Sequence, residues 1–252
     1  MKNSMRRILW LICILGAGIC IGFAASYYMR IQKNKKIYED IKETETVVWE
    51  TLPPVSESKE PETETKAPPE IPVNFNDLWN INPEIYAWIE IPGTEVNYPI
   101  AQSSSDNSYY LDHTIEGIAG YPGSIYTEAV NSKDFKDFNT VIYGHDMEDG
   151  SMFGGLYLFR DENYLKEHET LMIYTPNQRL TYRIFTALTY DDRHIMGSFD
   201  FSDILQREEY LASIGNSDSE IRSDSRIITL STCIGGQPNN RLLVEAVLVN
   251  EE

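Results

Sequence analysis

Residues 8–29 form a run of twenty-two amino acids without a charge, and that run limits the chain more than any other feature. At about 1.5 Å per residue a helix of this length reaches roughly 33 Å, enough to cross a bilayer core of about 30 Å. The sequence therefore predicts a membrane-spanning helix over 8–29, preceded by a short tail at 1–7. Ala24, Ala25 and Ser26 offer the small residues of a cleavage site, so a removed signal peptide is the rival. The apolar run exceeds the roughly 7 to 15 residues of such a leader, which favours retention. Basic residues flank both ends, Lys2, Arg6 and Arg7 before and Arg30, Lys33, Lys35 and Lys36 after, so charge alone does not orient the span.

Residues 43–72 are dominated by Glu, Thr, Pro, Ser and Lys, and Pro53, Pro54, Pro61, Pro68, Pro69 and Pro72 interrupt any helix. Such a segment lacks the apolar surface needed to offset the entropy of ordering it. It reads as a spacer, averaging roughly 30 Å end to end as a flexible coil. The stalk as a whole is placed at 30–72, with 30–42 able to prolong the membrane helix for a few turns.

The seven bases up to Lys36 precede the first acid, so the remaining 14 bases face 39 acids. A surface with that excess repels nucleic acid and anionic headgroups, and no nucleic-acid partner is expected. Of the three cysteines, Cys13 and Cys20 lie within the span. Cys233 is alone in the remainder, where no internal disulfide can form.

Residues 73–252 suffice for one well-buried domain. Short β-branched or apolar runs at 88–91, 123–126, 140–143, 170–174, 180–190, 226–232 and 241–249 alternate with Gly, Pro, Asn and Asp clusters. That spacing argues for a mainly β barrel or sandwich. Helices are expected at 76–81, 154–167 and 202–214; in the last, Ile204, Leu205, Leu211 and Ile214 share a face and Gly215 stands as a C-cap.

Two of the runs carry chemistry. RIITLSTC (226–233) and RLLVEAVLV (241–249) read as strands joined by the loop IGGQPNN (234–240), which sets Cys233 beside Arg241. A neighbouring cation favours the nucleophilic thiolate. Upstream, NTVIYGH (139–145) delivers His145 to a glycine-bearing turn, which supplies a base. Taken singly, Cys233 would be a buried hydrophobe, His145 a turn histidine, and Arg241 a rim cation or a partner for Glu245. Together they point to cysteine acyl transfer. Ser231 shares the face of Cys233 by the period of two. His113, His168 and His194 receive no role. The acidic runs 146–149 and 191–192 lack a glycine-punctuated calcium loop, so neither metal nor cofactor is expected.

With TLSTC (229–233), Arg241, VIYGHDM (141–147), GSMF (150–153), NPEIYAWIEIPG (82–93), NYPI (97–100) and DNSYYL (106–111) in order, the chain resembles the sortases, and more narrowly class B, over 75–249. The resemblance implies a catalytic domain at 73–252 built as an eight-stranded β-barrel. An N-terminal helix and a helix in the connection before the cysteine-bearing strand, here 191–225, complete that plan.

It implies a membrane-anchored cysteine transpeptidase of Gram-positive bacteria, held in the cell membrane by a single pass with the catalytic domain outside. Its partners would be the sorting-signal peptide of secreted proteins and an amine of peptidoglycan or of a pilin. Cys233, His145 and Arg241 would be catalytic. Ser231, Asn107 and Leu111 would touch the peptide, and 190–201 would wall the groove. A hydrolytic cysteine peptidase and a non-catalytic membrane-tethered assembly factor are the alternatives.

Overall fold

The computed structural model describes residues 2–50 and 71–252. The chain divides into two units, Met1–Ile41 and Lys42–Glu252. Helix α1 spans Lys2–Glu50. Its stretch Cys13–Lys42 is long and apolar enough to cross a membrane. Leu15, Ile19, Ile21 and Phe23 are exposed on it, and a helix apolar all round is one that lipid or a large core must cover. The helix continues through the first part of the expected stalk; positions 51–70 of that stalk lie outside the described residues.

In the second unit, α2 (Phe75–Ile81), β1 (Ile85–Glu90), β2 (Asn97–Ala101), β3 (Ile125–Thr127) and β4 (Asn139–Tyr143) come first. Then follow α3 (Glu162–Glu167), β5 (Thr170–Tyr174), β6 (Arg179–Asp191), α4 (Ile195–Ser198), α5 (Ile204–Ser213), β7 (Ile227–Ile234) and β8 (Gln237–Glu251). The eight strands close into a barrel in the order β1-β2-β3-β4-β7-β8-β6-β5. Alternation in β6 buries Leu180, Tyr182 and Ile184, the inward set of a period-two strand. The parallel pair β4 and β7 is buried on both faces, which is why both read as continuous apolar runs.

Strand β2 was not among the expected runs. Pro99 lies within it, and proline cannot donate to a ladder; its pairing to β3 begins only at Ile100. The helix expected at 154–167 is two pieces. The 3₁₀ turn Gly154–Arg160 stops at Asp161, whose carboxylate caps α3 by accepting from the amides of Asn163 and Tyr164 at 2.8 and 3.0 Å. Helix α5 ends as predicted: Gly215 has φ +69, and the amides of Gly215 and Asn216 bond the carbonyls of Ala212 and Leu211, the paired bonds of a Schellman cap. Its inner face differs from expectation. Leu211 and Ile214 are buried with Tyr210, whereas Ile204 and Leu205 are exposed. Those two stand in the first turn beside the capping Asp203, outside the apolar cluster that α5 covers.

That cluster lies over one face of β4, β7 and β8. Register sets Asn139, Ile227 and Val247 in one row across the three strands, Val141, Thr229 and Glu245 in the next, and Tyr143, Ser231 and Leu243 in a third. Tyr210 and Leu211 of α5 and its C-cap Ile214, with Tyr190, Ile195 and Phe199, pack over this face. The next row along leads to the cysteine.

Candidate active site

Cys233 of β7 pairs directly with Arg241 of β8. The parallel β4–β7 ladder ends at Tyr143 opposite Ser231. His145 and Cys233 each lie two residues further on, so they leave the barrel level with each other on strands about 4.8 Å apart. Three adjacent strand ends thus bring together the three residues expected to be catalytic.

The connection between β7 and β8 is tighter than the seven-residue loop expected. Ile234 pairs with Gln237, leaving Gly235 and Gly236 as the turn, with Gly236 at φ +73. The pairing then slips, and residues 238–240 bulge before Arg241 rejoins the ladder. The bulge turns two carbonyls onto the guanidinium: Arg241 Nη1 donates to Pro238 and Asn240 at 3.0 and 2.9 Å. Nη2 and Nε carry the remaining donors. Glu245 is not the partner of Arg241. It is fully buried and accepts from Tyr210 and Thr229, each at 2.9 Å.

His145 is held by its surroundings. Gly144 donates its amide to the Ser231 carbonyl at 3.2 Å, and Phe153 donates to the His145 carbonyl at 2.9 Å. A Cβ at Gly144 would stand 2.5 Å from Ile125 Cδ1 and 2.7 Å from the Phe153 ring, so the turn before the histidine requires glycine. The imidazole Nε2 lies 2.7 Å from the carbonyl oxygen of Leu111. A carbonyl only accepts, so Nε2 carries the proton and Nδ1 is the nitrogen left for exchange. The Tyr121 ring meets the imidazole edge-on at 5.0 Å.

A groove of about 410 Å³ is lined by Leu111, Tyr126, Tyr143 and Ser231 beside Cys233, His145 and Arg241, with residues 191–195 as a wall. Cys233 is exposed into it. Tyr126 and Tyr143 stack at 5.3 Å; burial, reinforced by nearby Glu128, pushes both phenols far above their ordinary range, so they remain neutral. In the wall, Arg193 bonds Asp191 and holds that carboxyl below the usual range, and His194 meets Glu128 at 2.7 Å. A larger hollow of about 730 Å³ between residues 136–139 and 196–202 contains neither thiol nor imidazole. Chemistry rather than volume marks the smaller groove.

Of the residues expected to touch a peptide, Leu111 and Ser231 line the groove and Asn107 does not. The Asn107 amide oxygen accepts from the Ala129 amide at 2.9 Å, bracing two loops. His113 stacks on Tyr109 at 4.0 Å and bonds Asp112 and the Tyr109 carbonyl. His168 packs on Tyr164. No group of three His, Cys, Asp or Glu residues able to hold a metal ion occurs among the described residues. Sequence reasoning missed the Leu111 carbonyl, Tyr121 and Tyr157. A backbone oxygen leaves no signal in a sequence, Tyr121 stands in a turn whose course the sequence does not specify, and Tyr157 lies in an expected helix while its partners lie on other segments.

A closed eight-stranded barrel that presents a thiol, an imidazole and a guanidinium on adjoining strand ends is the framework of a cysteine transpeptidase. Residues 89–249 match the family model of the sortase domain. Sortase B of Listeria monocytogenes is 36% identical over 170 residues, covering 65% of this chain and 68% of that protein. Sortase B of Staphylococcus aureus is 29% identical over 182 residues, covering 69% and 74%. Among solved structures, sortase B of B. anthracis in complex with AAEK1 superposes with a TM-score of 0.70 at 30% identity, covering 88% of this chain and 99% of that one. The chain belongs to the sortase family and, within it, to class B. It is a cysteine transpeptidase of the kind that anchors surface proteins.

Proposed function

We propose that the protein cleaves a C-terminal sorting-signal pentapeptide of secreted proteins, of the N-P-x-T-N or L-P-x-T-G type. It forms a thioester on Cys233 and passes the acyl group to an amine of peptidoglycan or of a pilin. Helix α1 anchors it in the membrane of a Gram-positive cell by one pass through residues 8–29, the stalk 30–72 spaces it away, and the catalytic domain 73–252 works outside. Support for this reading comes chiefly from one observation: Cys233, His145 and Arg241 leave β7, β4 and β8 at one level beside a groove open to a peptide.

Each group has a distinct task. The Cys233 thiolate attacks the scissile carbonyl, forming the C–S bond, while His145, held through Nε2 by Leu111, gives the Nδ1 proton to the departing amine. The free donors of Arg241 meet the oxyanion. In the second half, His145 takes a proton from the incoming amine, which attacks the thioester and releases the thiolate. Leu111 and Ser231 contact the peptide along the groove.

The test is incubation of the protein with a sorting-signal peptide and a peptidoglycan-like amine, with products resolved by mass. Amide product from the native chain, a thioester adduct on Cys233 and no turnover by Cys233→Ala are expected. Acid product alone, with the amine present in excess, points to a hydrolase and overturns the reading.

A further inference from the structure

Tyr157 projects from the 3₁₀ turn Gly154–Arg160, which belongs to none of the strands that carry the reacting groups. Its hydroxyl lies 3.2 Å from the carbonyl oxygen of Cys233 and 3.3 Å from Asp146 Oδ2. One oxygen therefore meets the backbone of the thiol residue and the side chain immediately after the imidazole. The phenol has a single proton and both oxygen neighbours accept it, so that proton is shared in a three-centre bond.

The ring has a neighbour of its own. The Arg160 guanidinium lies 5.2 Å from the ring centre and donates through Nη2 to Thr189 Oγ1 in β6 at 2.7 Å. Tyr157 is thereby braced against a fourth strand, outside the catalytic three. Among the described residues, Tyr157 is the group whose hydrogen bonds join Asp146 to the Cys233 carbonyl.

We propose that Tyr157 is a positioning residue for the transfer reaction: its hydroxyl ties the loop behind His145 to the carbonyl of Cys233 and so sets the placement of imidazole against thiol. This rests on the assignment of Cys233 as nucleophile and His145 as proton carrier. A displacement of about 1 Å between reacting groups costs on the order of a hundredfold in rate, so a bond that fixes two loops acts on turnover without touching the substrate.

The experiment uses the full-length chain in detergent. Tyr157→Phe keeps the ring and its contact with Arg160 and deletes only the hydroxyl. Expected are a fall in kcat of about tenfold, a KM within about twofold of wild type, a melting temperature lower by no more than the few degrees one hydrogen bond is worth, and a shifted pH profile for alkylation of Cys233 by iodoacetamide. Asp146→Ala removes one anchor of the same link, so the double variant should be no slower than the slower single one. Wild-type kcat and alkylation profile in Tyr157→Phe overturn the proposal, as do a loss of rate accounted for by the fraction unfolded at the assay temperature or single effects that multiply. Cys233→Ala separates the two levels: if it is inactive while Tyr157→Phe is normal, only the role of Tyr157 fails, whereas an active Cys233→Ala removes the nucleophile assignment itself.

Discussion

His145 donates from Nε2 to the backbone carbonyl of Leu111 at 2.7 Å. Cysteine enzymes that use a triad orient the imidazole with a side chain; here a main-chain oxygen performs that task, from a 3₁₀ turn at Tyr109–Leu111 that precedes β3. The bond selects the tautomer. It also means that whatever fixes the Leu111 carbonyl fixes the imidazole, the base of the proposed reaction.

Gly123 is one such group. It adopts φ +71, and a Cβ there would stand 2.4 Å from the Leu111 oxygen. Alanine must therefore strain its own backbone and displace the carbonyl, at a cost of order 1–3 kcal/mol. Gly123→Ala should lower the melting temperature and, at a temperature where the variant is fully folded, still reduce kcat. Normal turnover in folded Gly123→Ala would show that the carbonyl does not govern His145.

The two histidines near the groove should behave differently. His145→Ala removes proton transfer, a contribution of about 10²- to 10⁴-fold. His113 is occupied by Asp112, the Tyr109 carbonyl and the Tyr109 ring, so His113→Ala should leave peptide cleavage within a few-fold of wild type. Rates of sorting-signal cleavage for the two variants decide it, and the reverse order of damage would move the base to His113.

Arg241 separates charge from geometry. Two carbonyls of the bulge, those of Pro238 and Asn240, take Nη1 and aim the rest of a planar fork. Lysine keeps the charge but cannot satisfy both carbonyls and still reach an oxyanion. Arg241→Lys should lower kcat by about 10²-fold or more, with little change in KM, as for other lost oxyanion donors. Near-normal rates would reduce the residue to a general cation beside the thiol.

How far this arrangement can be read from the chain depends on what each part is made of. Cys233, His145 and Arg241 are legible because strand runs and turn residues flank them, and ladder register then forces them level. Strand β2 escaped because Pro99 argues against a strand until one sees where its pairing to β3 begins. The outward placement of Ile204 and Leu205 escaped because periodicity marks a stripe but not where the underlying surface stops. Asn107 falls outside the groove lining since its loop spends the amide on Ala129. The hydrogen bonds of Leu111 and Tyr157 join segments far apart in sequence, and local pattern does not encode such contacts.

Glu245 is the least expected of these residues: a carboxyl in an apolar strand, fully buried, accepting from Tyr210 and Thr229. Burial pushes it up to about 8, against an ordinary value of 4.5, although the two hydrogen bonds oppose that shift. The folded protein thus binds this proton more tightly than the unfolded chain does. The stabilisation is fully present below about 4.5 and is lost as pH rises towards about 8, with a slope of at most about 1.4 kcal/mol per pH unit. Glu245→Gln keeps the shape and both hydroxyl partners but cannot ionise. Denaturant unfolding of both proteins between pH 4.5 and 8.5 isolates the effect, since Glu90, which burial also raises, is common to the two. Wild-type stability should fall relative to Glu245→Gln across that window and level off above it. Parallel curves would mean that Glu245 is ionised inside the fold and that Tyr210 and Thr229 stabilise the charge.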